Sequence, residues 1–147
     1  MPQVFDFLVS IVQKPKSPAL ELWTIQAFGQ TKEHKIVPVL TKVVDTYNLH
    51  PVNRNMNGEA LSESQIAVTA AEALAKIGAV QSRSSIVKLL GTLKKSGADD
   101  SFCIRAAKAA LDLGADPTAI GKIVGTRWVR IENYKKSLKP IPPDLLP

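Results

Sequence analysis

The stretch AVTAAEALAKIGAV, Ala67 to Val80, consists almost entirely of small and aliphatic residues, with one glutamate and one lysine. Its apolar residues follow the helical period, which predicts an α-helix. Gly78 suits the left-handed backbone conformation that often ends a helix. A helix built on alanine is too thin to hold a core by itself. The stretch therefore predicts close packing against other helices.

The same pattern recurs later in the chain. VTAAEALAKIGA, residues 68–79, aligns with IRAAKAALDLGA, residues 104–115, at an offset of 36 (104 minus 68). The following segments also match, since SIVKLL, residues 85–90, aligns with AIGKIV, residues 119–124, at an offset of 34 (119 minus 85). Recurrence of two linked segments indicates an internal repeat of helix, short turn and second helix.

A weaker copy lies upstream. LWTIQAFGQT, residues 22–31, aligns with the first helix of the second copy at an offset of 46 (68 minus 22), and KIVPVL, residues 35–40, aligns with SIVKLL. This copy departs from the pattern, because Trp23 and Phe28 replace the smaller residues Thr69 and Leu74 and Lys32 replaces the glycine at the helix end. The extra length between the first two copies falls in an irregular stretch, where insertions into such arrays are expected.

The pattern AAxALxxIG followed by IVxLL resembles the HEAT-like repeats of the phycobilisome-lyase type, over about residues 18–126. The resemblance implies an all-α fold, a right-handed alpha-alpha superhelix (a HEAT-like solenoid) of about three helical pairs with capping helices. Stacking is needed in such arrays because one helical pair cannot bury both of its faces. Similar repeats occur in bilin lyase subunits, enzyme adaptor domains, DNA-repair proteins and scaffolds.

The domain prediction is a single HEAT-like repeat domain over residues 1–139, followed by a proline-rich tail, 140–147, which we expect to be extended. The repeats are expected at about 18–47, 62–96 and 100–126, with caps at 3–14 and 127–138 and a loop at 48–64. Short polar residues mark the helix starts, because their side chains accept hydrogen bonds from free backbone N–H groups. The candidates are Ser17, Ser82 or Ser84, one of Asp99, Asp100 and Ser101, and Asp116.

Catalytic signals are poor, because the sequence contains no phosphate-binding glycine-rich loop and no GxSxG, HExxH or CxxC motif. The one cysteine, Cys103, lies in an apolar helical pattern that predicts a buried, inert thiol. With only two histidines, a metal site is not expected. We therefore expect no catalytic residue, no cofactor and a non-enzymatic role. A cytoplasmic location fits the absence of a signal peptide pattern, and no apolar run is long enough to span a membrane.

Charge supplies the better functional signal, since the formal net charge is +6. Lys88 and Lys122 occupy the same position in the second helices of two copies, and the resemblance places that helix on the concave face. Lys35 and Lys42 extend this row upstream, and Arg127, Trp128 and Arg130 follow it. The predicted partner-binding residues are Lys35, Lys42, Lys88, Lys122, Arg127, Trp128 and Arg130.

The leading hypothesis is a scaffold or interaction module that binds a protein with an acidic surface. A second hypothesis is nucleic-acid binding, with the same side chains contacting phosphates. The resemblance alone suggests a third, a bilin lyase or chaperone-like subunit. A fourth interpretation is that the lysines only solvate exposed helix faces. The sequence does not choose a partner or an assembly state.

Overall fold

The computed structural model describes residues 2–13, 18–51 and 63–125 and, nearer the C-terminus, 129, 132, 135, 136, 140 and 142–145. Every regular element of these residues is helical, which confirms the all-α prediction. The seven α-helices within the described ranges are α1 Pro2–Gln13, α2 Pro18–Thr31, α3 Val37–Leu49, α4 Glu63–Ile77, α5 Arg83–Ser96, α6 Asp100–Asp112 and α7 Pro117–Val124. Short 3-10 helices cover His34–Ile36, Val80–Ser82 and Pro143–Leu145. None of the described helices is long and apolar enough to cross a membrane.

The helices pack in two rows. In one row α2 packs on α4 and α4 on α6, and in the other α3 packs on α5 and α5 on α7. Between the rows, α3 packs closely on α4 and α5 on α6, whereas α4 and α5, which are joined by a short turn, share a smaller contact. Helices of successive pairs therefore pack on one another in both rows. One apolar core runs from α1 through α7.

Helix α4, which contains the alanine-rich stretch, lies at the centre of this core. Ten of its fifteen residues are buried, and it contacts α2, α3 and α6. Helix α2 approaches it closely, since a Cβ atom added to Gly29 would lie 2.9 Å from the Cα of Ala73. The alanines are thus contact positions on several sides of one helix, as their size predicts. The buried alanines of α4 are Ala67, Ala70, Ala71 and Ala73.

The first helices of the three copies end in the same backbone conformation. Gly78 and Gly114 have φ angles of 82° and 87°, and Lys32 stands at the equivalent position with a φ of 55°. The N–H groups of Gly78 and Ala79 both reach the carbonyl of Leu74, at 3.1 and 3.0 Å, which satisfies the helix end. Lys32 adopts a conformation that is unfavourable for a residue with a Cβ atom.

Two predicted helix caps are confirmed and one is wrong. Asp99 accepts a hydrogen bond from the N–H of Ser101 at 2.8 Å, and Asp116 accepts one from that of Thr118 at 3.1 Å. Ser82 makes no capping hydrogen bond, because a 3-10 helix leads directly into α5 and turns its hydroxyl towards the 2.7 Å contact with Thr41.

The other two predicted caps, Ser84 and Ser17, and the predictions for the chain ends have different outcomes. Ser84 lies inside α5, so it does not cap that helix, and Ser17 lies outside the described residues. The predicted N-terminal cap forms a helix, α1, whose Phe5 ring packs edge-on against Phe28 at 5.7 Å between centroids. Of the predicted C-terminal cap, residues 129, 132, 135 and 136 are described and helical. In the tail, the 3-10 turn at Pro143–Leu145 replaces the extended chain that was expected.

Candidate functional site

The helix boundaries set the equivalence of the predicted lysines. Helices α3 and α5 start 46 residues apart (83 minus 37), the offset found for the first helices. The alignment of KIVPVL with SIVKLL requires an offset of 50 (85 minus 35), so it is wrong by four residues, about one helical turn. The error arises because the apolar spacing of a helix repeats with every turn. In the corrected register Lys42, not Pro38, is equivalent to Lys88 and Lys122. The three lysines lie exposed at one position of α3, α5 and α7.

The other predicted binding residues separate from this row. Lys35 is exposed in the 3-10 helix that precedes α3. Arg127, Trp128 and Arg130 lie outside the described residues. The described part of the predicted site is thus the row of Lys42, Lys88 and Lys122 together with Lys35, which lies ahead of α3.

A groove lies beside Lys88, between the end of α3 and the middle of α5. We call it the α3–α5 groove, and its volume is about 480 Å³. It is lined by Asn48 and Pro51 on one side and by Lys88, Gly91, Thr92, Lys95 and Ser96 on the other. A side chain at Gly91 would meet nothing within 4 Å, so the floor of the groove is open at this point.

The hydroxyl groups of the α3–α5 groove are already used by the protein. Thr92 Oγ1 donates to the carbonyl of Lys88 at 3.0 Å, and Ser96 Oγ donates to the carbonyl of Leu93 at 3.2 Å. Such hydrogen bonds from a side chain to the preceding helical turn leave few polar groups free for a ligand.

Asn48 also lines the groove, and one of its two side-chain polar atoms is not used in this way. Its Nδ2 donates to the carbonyl of Ser85 at 3.1 Å, which joins α3 to α5. Its Oδ1 is buried and has no partner among the described residues. A buried acceptor without a donor carries a free-energy cost of about 1–3 kcal/mol.

The charge of the α3–α5 groove is uncompensated. Among the described residues, Lys88 and Lys95 line it with no acidic side chain, and neither ammonium group is in an ion pair there. They are seven residues apart on α5, which places them about 10 Å apart along the helix axis at 1.5 Å per residue. The groove therefore offers two free positive charges.

Two other grooves differ in this respect. The first, of about 450 Å³, is lined by Lys42 but also by Asp45, and it lies where Thr41 and Ser82 join α3 to the start of α5. The second, of about 250 Å³, lies between α4 and α6, where the ion pair of Glu72 with Arg105 crosses it. Judged by the described residues that line these three grooves, only the α3–α5 groove has basic residues without acidic ones.

Sequence reasoning found Lys88 and missed the residues that accompany it. Lys95 had a usable signal, because residues seven apart on a helix share a face. Asn48 had been assigned to the loop 48–64, whereas α3 continues to Leu49. The asparagine-rich composition of that stretch, which favours a loop, concealed the last turn of the helix.

Catalytic and metal-binding chemistry finds no support at the described residues. No group of three or more histidine, cysteine, aspartate or glutamate side chains that could hold a metal lies in this part of the chain. Cys103 is buried, and burial raises the pKa of its thiol above the ordinary value. The prediction of a buried thiol is confirmed, and a raised pKa keeps it in the less reactive protonated form.

Comparison of the chain with known protein families, curated proteins and solved structures finds no significant match. The resemblance to HEAT-like repeats therefore stays a prediction from the repeated sequence, and the function is argued from the surface alone.

Proposed function

We propose that the protein is an interaction module that binds an acidic protein through the face formed by α3, α5 and α7. The observation that carries the proposal is the free positive charge at Lys88 and Lys95 in the α3–α5 groove. Positive charge without acidic neighbours attracts a complementary acidic surface and speeds its association.

The arrangement of the helices supports the same proposal. Successive packing of α3, α5 and α7 repeats one exposed lysine on each helix, and neighbouring helix axes are about 8–10 Å apart. We infer that the two rows form a right-handed, HEAT-like superhelix with this face on its concave side. A concave, repeated surface is the part that stacked helical arrays use for binding.

The test compares the capture of partners from native lysate by the wild type and by Lys88→Glu/Lys122→Glu. We expect the double substitution to remove a partner whose binding weakens as salt rises, because exposed charge pairs are screened. The matched control is Lys76→Glu/Lys108→Glu, which makes the same charge change at exposed lysines of α4 and α6. Equal recovery of every partner by the three proteins would contradict the proposal.

Capture of a nucleic acid is the outcome that would change the proposed partner. The captured species could be a nucleic acid whose affinity falls steeply as salt rises and falls again in the double substitution. That result would assign the face to phosphate binding. No observation at the described residues favours bilin chemistry, which the resemblance alone suggested. A cytoplasmic location stays a prediction.

A further inference from the structure

We draw no further inference here: the strongest candidate, the exposed and uncharged outer face of α2 around Leu20 and Trp23, is an unpartnered apolar patch, and nothing in the structure shows what covers it.

Discussion

The close approach of α2 and α4 gives the sharpest test of the packing. An alanine at Gly29 would bring its Cβ atom to 2.9 Å from Cα and 3.0 Å from Cβ of Ala73. Carbon atoms prefer a separation of about 3.5–4.0 Å, so the two helices must move apart by roughly 0.5–1 Å. The nearest atom belongs to the backbone, and no side-chain rotation can relieve the contact.

The magnitude follows from two opposed effects. Overpacking of a well-packed core costs about 1–3 kcal/mol, whereas alanine is favoured over glycine inside a helix by about 1 kcal/mol. We expect Gly29→Ala to lower the free energy of unfolding by about 1 kcal/mol. Gly91→Ala is the matched control, since Gly91 lies inside α5 and an added Cβ meets nothing within 4 Å. It should raise the free energy of unfolding by about 0.5–1 kcal/mol.

The assay is urea and thermal unfolding followed by far-UV circular dichroism. The two variants should differ by about 2 kcal/mol, or roughly 4–8 °C in Tm for a chain of this size. Both should keep the helical spectrum of the wild type. An increase in stability for Gly29→Ala equal to that of Gly91→Ala would refute the close approach of α2 and α4, because it would show that propensity alone acts at both sites.

Three further outcomes are expected from the same structure. Lys32→Gly should raise the free energy of unfolding by about 1 kcal/mol in a urea titration, because it removes a side chain from a left-handed position, whereas Gly78→Ala should lower it by a similar amount. Arg83→Ala should lower it by about 0.5–1 kcal/mol, since Arg83 Nη1 donates to the carbonyl of Gly114 at the end of α6, 3.2 Å away; an unchanged urea midpoint would count against this cap. Burial raises the pKa of the Cys103 thiol, so the folded chain holds this proton more tightly than the unfolded chain does. The resulting stability is present below the ordinary thiol pKa of about 8.5. It is lost as the pH rises through the pKa of the folded chain. Urea unfolding between pH 8 and 10 should therefore show a steeper loss of stability for wild type than for Cys103→Ala, and equal slopes would disprove it.

Local features were predictable because they depend on neighbours in sequence. The ends of α1 and α2, the glycine at position 78 and the Asp99 cap all follow from helical spacing and from backbone N–H groups that need a partner. Where a residue far away in the sequence intervenes, the prediction was wrong. Ser82 was a sound candidate cap by composition, yet Thr41, on a different helix, takes its hydroxyl.

The candidate site shows the same limit. The lysine row was visible because equivalent positions repeat in sequence, although one copy was aligned a turn out of register. The α3–α5 groove was not visible, because it depends on how far α3 extends and on how it lies against α5. Asn48 and Lys95 have no sequence relation to each other, and only packing brings them to one groove.

The sequence by itself determined that the chain is helical and repetitive and that alanines form contact positions between its helices. It did so because helix propensity, apolar period and helix-ending glycines act within a few residues. The tertiary structure decided which helices approach closely enough to exclude a single methyl group, as at Gly29 and Ala73. It also decided which charges stay unpaired and which buried acceptor, Asn48 Oδ1, has no donor. Those properties depend on distances between segments far apart in the chain, which no local pattern encodes.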